Sequence, residues 1–392
     1  MAHKLKTILH YVLAIAALSL SSAYGQSQTQ QITQTSDLRQ AIKRVDALAA
    51  AEIAADNIGS INIAIVSGGN LVWTKSYGYA DVERKIPITK DNVFAIGSIT
   101  KQFTALMLLQ LVEQGKVRLS DPVEKYLPEV KKLQNQFVGA PPITLIQLAT
   151  HTSGLDREPD DEQMLYIKGH VPEWDKKLIT TIPLTRFINE PGTRYSYSNI
   201  GYAILGAALS KAAGEPYVEY VQKRILKPLG MSQTAFLLDN QMKKNRAKGF
   251  LIENGKADAE EPERQVRDGR GWRIPSGGLY STVEDLARFV AFELGEENTT
   301  ILSKKTLEAN FRRVYSALSD FNYGYGIGFQ FFRRGNLNAL GHTGVLAGYQ
   351  CSAWIDPKTR LGVITLTTKQ EKELGLRALE ILVAAGQTSN KQ

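Results

Sequence analysis

The sequence predicts an α+β fold: a mixed antiparallel sheet flanked by helices, with an all-helical lobe inserted into the chain. Short β-like apolar runs lie near both ends of the 392 residues, and helical patterns fill the middle. Both ends are therefore expected to build one α/β lobe, about 37–115 and 275–390. Residues of about 116–274 would form the helical lobe, within a single domain over 37–390.

The first 25 residues are typical of a secretory signal peptide. Lys4 and Lys6 precede an apolar run over 8–20, and small residues at Ala23 and Gly25 offer a cleavage site. The run is short for a bilayer span of ~20 residues, which favours cleavage over a retained anchor. A polar leader over 26–36 follows. The mature chain is expected to be exported, periplasmic or extracellular, and without a stable membrane span.

The elements follow in order from these patterns. Residues 36–56 predict a helix, and 61–66 with 71–77 predict a hairpin around Gly68-Gly69. An apolar helix begins at Ser98 and reaches Gly115. Further helices are predicted at 143–150, 184–189, 200–213, 217–226, 283–294 and 371–385, and strands at 325–332, 336–340, 348–355 and 361–367.

Charge and cysteine usage exclude several function classes. The formal charge is +8 and the pI about 9.2, but the chain has no dense Lys/Arg block, so no nucleic-acid partner is expected. The single cysteine, Cys351, excludes an internal disulfide and favours a buried thiol. Because the five histidines lack metal-ligand spacing, neither a metal nor another cofactor is expected.

Ser98-Ile99-Thr100-Lys101 is the first motif that could carry chemistry. A spacing of three on a helix places both side chains on one face, ~5–6 Å apart at Cβ. A lysine whose pKa is lowered by burial can take the proton of a serine hydroxyl, and the helix N-terminus favours developing negative charge. Taken alone, the motif also fits an N-cap serine beside a surface lysine.

Two further motifs lie later in the chain. Tyr197-Ser198-Asn199 offers a phenol whose pKa a nearby lysine would lower, and an amide for a substrate carbonyl or for the lysine; an aromatic turn before a helix is the structural alternative. His342-Thr343-Gly344 offers a hydroxyl and a close backbone approach. The N–H groups of Ser98 and Val345 are candidates for an oxyanion hole.

In this order, Ser-x-x-Lys, Tyr-x-Asn and His-Thr-Gly resemble the three motifs of serine β-lactamases and penicillin-binding proteins. The Tyr-x-Asn form resembles the class C β-lactamase, DD-carboxypeptidase and esterase branch. Supporting phrases are ITLIQLATHTSGL (143–155), YSNIGYAIL (197–205), PLGM (228–231) and GGLYSTVEDLARF (277–289). The resemblance covers roughly 55–385.

The resemblance implies roles for individual residues. Ser98 would form the acyl-enzyme, Lys101 would assist its deprotonation, and Tyr197 would exchange protons with the leaving group and with water. Asn199, His342, Thr343 and Gly344 would contact the substrate, with Thr343 and His342 meeting a carboxylate or supporting Tyr197. His151 is interpreted as structural. Selectivity is expected from loops around the cleft, at 158–177 and 249–273.

His342 departs from the lysine of many class C β-lactamases. Histidine is mostly neutral above a pKa of ~6.5, so attraction for a β-lactam carboxylate would be weaker. The expected function is therefore an exported serine hydrolase of an ester or amide, DD-peptidase- or esterase-like, with weak or no β-lactamase activity.

A true class C-type β-lactamase and a non-catalytic binder of peptidoglycan or another acyl ligand remain alternatives. The expected partner is a small acyl substrate or a peptidoglycan-type peptide; the sequence does not predict the oligomeric state. An α/β-hydrolase is excluded because the chain has no Gly-x-Ser-x-Gly.

Overall fold

A computed structural model describes residues 36–55, 58–160, 168–253, 256–295, 301–318, 322–369 and 373–388. The predicted signal peptide and nearly all of the polar leader lie outside these residues. Contacts group 36–392 into one compact unit. Within the described part, every helix is too short or too polar to cross a lipid bilayer.

The largest element is an antiparallel sheet whose strands come from both ends of the chain. Its order is β3-β2-β1-β13-β12-β11-β10-β9-β8. The N-terminal strands are β1 (Ser60–Ser67), β2 (Asn70–Asp81) and β3 (Ile86–Pro87). The C-terminal strands are β8 (Ser316–Leu318), β9 (Tyr323–Tyr325), β10 (Gln330–Arg334), β11 (Leu337–Leu346), β12 (Tyr349–Asp356) and β13 (Leu361–Thr367). The predicted fold class is confirmed, and the exact limits of the two lobes stay a prediction.

Helices cover both faces of the sheet. Helices α1 (Ser36–Ala54) and α12 (Leu374–Thr388) pack on one face, where β1 contributes Ile61, Ile63 and Ile65. Ala64 and Val66 point to the other face and join the larger core. The alternation explains why β1 reads as an almost continuous apolar run: it is buried on both sides.

Most helices lie between the two groups of strands. The central one is α2 (Thr100–Glu113), whose residues from Thr100 to Leu111 are all buried. The others are α3 (Leu145–Ala149), α4 (Trp174–Thr181), α5 (Asn199–Ala213), α6 (Tyr217–Val221), α7 (Asn240–Lys244), α8 (Glu260–Asp268), α9 (Ile274–Gly277), α10 (Val283–Glu293) and α11 (Lys304–Thr306). Two small two-stranded sheets complete the fold. One pairs β4 (Phe94–Ala95) with β7 (Tyr280–Ser281), and the other pairs β5 (Leu251–Glu253) with β6 (Lys256–Asp258).

Three predicted elements differ from the structure. The helix expected at 184–189 is wrong, because the backbone of Phe187 and Ile188 donates to Gln134 and Gly154 instead. The strand expected at 325–332 is divided into β9 and β10 at Gly328, which has φ +86° and packs against α2. The strand expected at 336–340 continues to Leu346, so the His-Thr-Gly triplet lies within β11.

Candidate active site

Ser98 lies in a 3₁₀ turn (Gly97–Ile99) that leads directly into α2. Gly97 has φ +53°, a left-handed conformation that glycine adopts without steric cost. The turn packs tightly against β11. A Cβ atom on Gly344 would lie 1.9 Å from the Ile96 carbonyl oxygen and 3.3 Å from the Ser98 nitrogen. Both glycines are therefore needed for the turn and the strand to meet.

This close approach brings together the two predicted oxyanion-hole nitrogens. A Cβ atom on Gly97 would lie 3.1 Å from the backbone nitrogen of Val345, and Gly344 has the matching relation to the Ser98 nitrogen. Val345 and Ser98 both line the same cavity. Two N–H groups at one cavity wall are the arrangement that stabilises a developing oxyanion.

Lys101 is completely buried, and its Nζ lies 3.0 Å from Ser98 Oγ. The same nitrogen donates to Asn199 Oδ1 and to the Ser276 carbonyl oxygen, each at 2.8 Å. Burial holds the pKa of Lys101 well below its ordinary value, opposed by the charge of Glu158. A neutral amine has two N–H groups, and both carbonyl oxygens accept. In the neutral form of Lys101, the lone pair would therefore face the Ser98 hydroxyl, which is the orientation that a general base requires.

Tyr197 and Asn199 come to this lysine from the start of α5. Ser198 caps the helix by accepting from the Gly201 nitrogen at 2.9 Å. Lys101 Nζ lies 4.8 Å from the centre of the Tyr197 ring. The expectation that the lysine lowers the pKa of Tyr197 is wrong: burial dominates and raises this pKa, although a hydrogen bond with Ser98 acts in the opposite direction. Tyr197 is thus a protonated phenol at neutral pH, suited to donate a proton.

His151 holds the Tyr197 ring in place. It follows α3 with φ +57°, its ring centre is 4.2 Å from that of Tyr197, and its Nδ1 accepts from the Ser198 nitrogen at 3.0 Å. Burial holds the pKa of His151 well below its ordinary value, so the ring is neutral. This packing agrees with the structural interpretation of His151. Nothing in the sequence indicated that His151 and Tyr197 are in contact.

His342 does not face the cavity beside Ser98. It is 1% exposed, its Nε2 lies 2.9 Å from the Tyr325 hydroxyl, and its Nδ1 lies 2.6 Å from the Thr343 carbonyl oxygen. This pairing requires Nδ1 to donate and Nε2 to accept from Tyr325. Burial, with the nearby Lys101, lowers the pKa of His342 to about 3. Direct contact of His342 with a substrate carboxylate, one of the two roles that the resemblance implied, does not fit this position. Thr343 bonds Gln330 Oε1 through its nitrogen and hydroxyl at 3.2 and 3.3 Å.

The cavity beside Ser98, here called the Ser98 cavity, has a volume of about 290 Å³. Its wall includes residues that no motif identified. All but Arg157 come from the two regions in which selectivity was expected, 158–177 and 249–273, although Arg264 and Gln265 belong to helix α8 and not to a loop. The residues are Arg157, Glu158, Arg264, Gln265, Arg270 and Arg273. Glu158 accepts from Asn199 Nδ2 at 2.6 Å and pairs with Arg273 at 3.0 Å, so it connects the wall through Asn199 to Lys101.

The described residues contain no group of three or more His, Cys, Asp or Glu side chains arranged to hold a metal ion. The Ser98 cavity is instead bounded by guanidinium groups, backbone N–H groups and one carboxylate.

The sequence is similar to known proteins over most of its length. The family model described as Beta-lactamase matches residues 45–386. The chain is 33% identical over 337 residues to "Beta-lactamase-like protein 2" of Dictyostelium discoideum, an alignment covering 83% of this chain and 59% of that protein. It is 26% identical over 325 residues to "Protein flp" of Staphylococcus aureus strain MRSA252, covering 83% and 62%. The chain thus spans about three fifths of the length of these relatives.

A solved structure shares the fold. The octameric penicillin-binding protein homologue from Pyrococcus abyssi superimposes with a TM-score of 0.74 at 26% identity, covering 88% of this chain and 77% of that one.

Proposed function

The chain belongs to the beta-lactamase family, and on that premise we propose that it is an exported serine hydrolase that cleaves esters or amides through an acyl-Ser98 intermediate. One observation carries the proposal: a fully buried amine, Lys101 Nζ, lies 3.0 Å from Ser98 Oγ with two carbonyl acceptors beside it. A pure binding protein gains nothing from desolvating a lysine in this position.

Acylation follows from the geometry. Lys101 takes the hydroxyl proton while Ser98 Oγ attacks the substrate carbonyl carbon, and the N–H groups of Ser98 and Val345 stabilise the resulting oxyanion. Tyr197 donates its proton to the leaving group as the bond to the acyl carbon breaks. Water then attacks the acyl-enzyme, Tyr197 takes a proton from it, and the acid is released as Ser98 regains its proton.

The surroundings of His342 favour a DD-peptidase- or esterase-like activity over an efficient β-lactamase. Many class C β-lactamases resemble this chain but have a lysine cation here, whereas His342 is buried and neutral. Efficient capture of a β-lactam carboxylate in the usual way is therefore disfavoured.

The test is an acyl-enzyme trap. The protein is incubated with a p-nitrophenyl ester, a fluorescent penicillin, nitrocefin and a D-Ala-D-Ala peptide, and the mass of the chain is followed with time. A burst of nitrophenol and a covalent adduct on wild type, both absent in Ser98→Ala, are expected. Binding of these compounds with no adduct and no turnover in either protein would overturn the proposal and favour a binder.

Export is tested separately. We expect the mature protein to begin near Gln26 and to be recovered from the periplasmic or culture fraction, by N-terminal mass spectrometry. A chain that keeps residues 1–25 in the membrane fraction would instead indicate a retained anchor.

A further inference from the structure

The Ser98 cavity is strongly cationic. Of the described side chains on its wall, four are arginines, Arg157, Arg264, Arg270 and Arg273, and one is a carboxylate, Glu158. Glu158 pairs with Arg273, and Arg264 pairs outside the wall with Glu261 through two hydrogen bonds of 2.6 Å. Even when both carboxylates are counted, two positive charges remain uncompensated beside the nucleophile.

Arg270 is the group that most needs a counter-ion. It is only 7% exposed, it donates to the Gly277 carbonyl oxygen, and no carboxylate of the described residues lies within ion-pair distance. Burial lowers the pKa of this guanidinium. A buried cation without a partner costs several kcal/mol, and a bound anion would offset that cost.

Three guanidinium nitrogens on the same wall are buried without a hydrogen-bond partner among the described residues. They are Arg264 Nη1, Arg270 Nε and Arg273 Nε. Buried polar atoms in proteins are normally satisfied, so residues that line a cavity and also leave buried donors unpaired are candidates for holding a ligand. Because all three belong to arginine, the matching ligand group is a carboxylate or a similar oxyanion.

The segment that carries these arginines is fixed by backbone contacts. Gly269 has φ +75°, and a Cβ atom there would lie 2.2 Å from the Gly169 carbonyl oxygen. Gly271 donates to the same oxygen at 2.9 Å, and Gly169 donates to Asp268 at 3.0 Å. Arg270, which lies between Gly269 and Gly271, is thus held by a preformed turn, which lowers the entropic cost of binding.

We infer that the enzyme selects acyl donors whose acyl part carries a carboxylate, which Arg264, Arg270 and Arg273 bind. The inference rests on the proposed serine hydrolase function. Ser98, Asn199 and Val345 line this cavity, whereas Tyr197, which protonates the leaving group, does not. The anion is therefore assigned to the acyl part of the substrate. The subsite also differs in position from the His342-Thr343-Gly344 triplet, where the resemblance had implied carboxylate binding.

The catalytic test compares two esters with the same leaving group: p-nitrophenyl valerate and the mono-p-nitrophenyl ester of glutaric acid. Their acyl chains have the same number of carbons and differ in the terminal carboxylate. Wild type is expected to have a kcat/KM at least ~10-fold higher for the glutarate ester. This preference should fall ~10-fold in Arg270→Gln and in Arg264→Gln, and be largely kept in Arg270→Lys. Arg224→Gln, an exposed arginine on another surface, is the control for net charge and should leave both values unchanged.

The binding test does not need turnover. Ser98→Ala is titrated with glutarate and with neutral glutaramide, and compared with Ser98→Ala/Arg264→Gln and Ser98→Ala/Arg270→Gln, whose folding is checked by circular dichroism. Glutarate binding that weakens ~10-fold in the double variants supports the subsite, even if no ester is hydrolysed. If Arg270→Gln does not fold, the Arg264→Gln variant still tests the subsite, because Arg264 is partly exposed. Equal preference for the two esters in wild type, no glutarate binding to Ser98→Ala, or a preference unchanged in the arginine variants would overturn the inference.

Discussion

Asn199 joins Lys101 to Glu158 through the two ends of one amide. Its oxygen accepts from Lys101 Nζ at 2.8 Å, and its nitrogen donates to the Glu158 carboxylate at 2.6 Å. Glu158 in turn pairs with Arg273 at 3.0 Å. The protonation of the general base and the charge of the cavity wall are therefore coupled through one glutamate.

Glu158→Gln should shift the pH profile of the enzyme. The charge of Glu158 raises the pKa of Lys101, so its removal should lower that pKa. Because the free amine is the active form, the acidic limb of kcat/KM for a neutral ester should move to lower pH. Gln keeps an acceptor for Asn199, whereas Glu158→Ala does not and serves as the comparison. A limb that stays in place or moves up in Glu158→Gln would contradict the coupling.

Lys101→Arg should abolish acylation while keeping a cation. Arginine remains protonated and has no lone pair to accept the Ser98 proton. Loss of a positioned base costs ~10²–10⁴-fold, so the nitrophenol burst should fall by about that factor. Ser98→Ala sets the background. A burst rate in Lys101→Arg within threefold of wild type would contradict the assignment of Lys101 as base.

Tyr197→Phe distinguishes the proposed role of the phenol as a proton donor from the packing role of the aromatic ring. Phenylalanine keeps the packing on His151 but cannot protonate a leaving group. Hydrolysis of an amide, whose nitrogen must be protonated, should fall ~10²–10⁴-fold. The burst of nitrophenol from the corresponding p-nitrophenyl ester, which reports acylation alone, should fall much less, because nitrophenolate leaves as an anion. Equal losses for both substrates would argue for a structural role only.

Gly344→Ala should disable the oxyanion hole. The new Cβ atom would lie 1.9 Å from the Ile96 carbonyl oxygen, which forces β11 away from the Ser98 turn. A fall of ~10²–10³-fold in kcat is expected, measured by steady-state kinetics, with a loss of about 1–3 kcal/mol in the free energy of unfolding. Gly386→Ala in α12 is the matched control, because nothing lies within 4 Å of its Cβ atom. Full activity in a folded Gly344→Ala protein would refute the role of this approach.

Buried neutral His342 should make the fold sensitive to acid. Its pKa is about 3 in the folded chain and ~6.5 when unfolded, so below pH 6.5 the unfolded chain binds a proton that the folded chain does not. The free energy of unfolding should therefore fall by up to about 1.4 kcal/mol per pH unit between pH 6.5 and 3 from this group. His342→Gln should flatten the slope of urea unfolding free energy against pH. A variant with the wild-type slope would contradict the low pKa.

The order of helix and strand patterns predicted the fold class, and local spacing was enough to propose Ser98, Lys101 and Tyr197 as catalytic side chains, roles that stay a prediction. Ser98 and Lys101 share one helix face, and Tyr197 and Asn199 open a helix with a clear cap, so the motif order was sufficient. The missing parts depend on distant contacts. No spacing connects Glu158 with Arg273, and no pattern in 184–189 reveals that its backbone bonds to Gln134 and Gly154.

The position of His342 is a second feature that the sequence could not predict. Its triplet matches a family motif, yet its ring is buried and paired with the hydroxyl of Tyr325 on β9, a contact that the motif does not show. A pKa is a property of the assembled surroundings, and neither the residue type nor its neighbours in the chain determine it.

The contact between Gly97 and Gly344 also has a temporal consequence during synthesis. Ser98, Lys101 and Tyr197 emerge from the ribosome long before Val345, whose N–H completes the pair. A nascent chain that lacks β11 therefore contains the proposed nucleophile Ser98 but lacks the second N–H group that would stabilise a tetrahedral intermediate. The proposed oxyanion hole is therefore complete only after residue 345 of the 392 has been added.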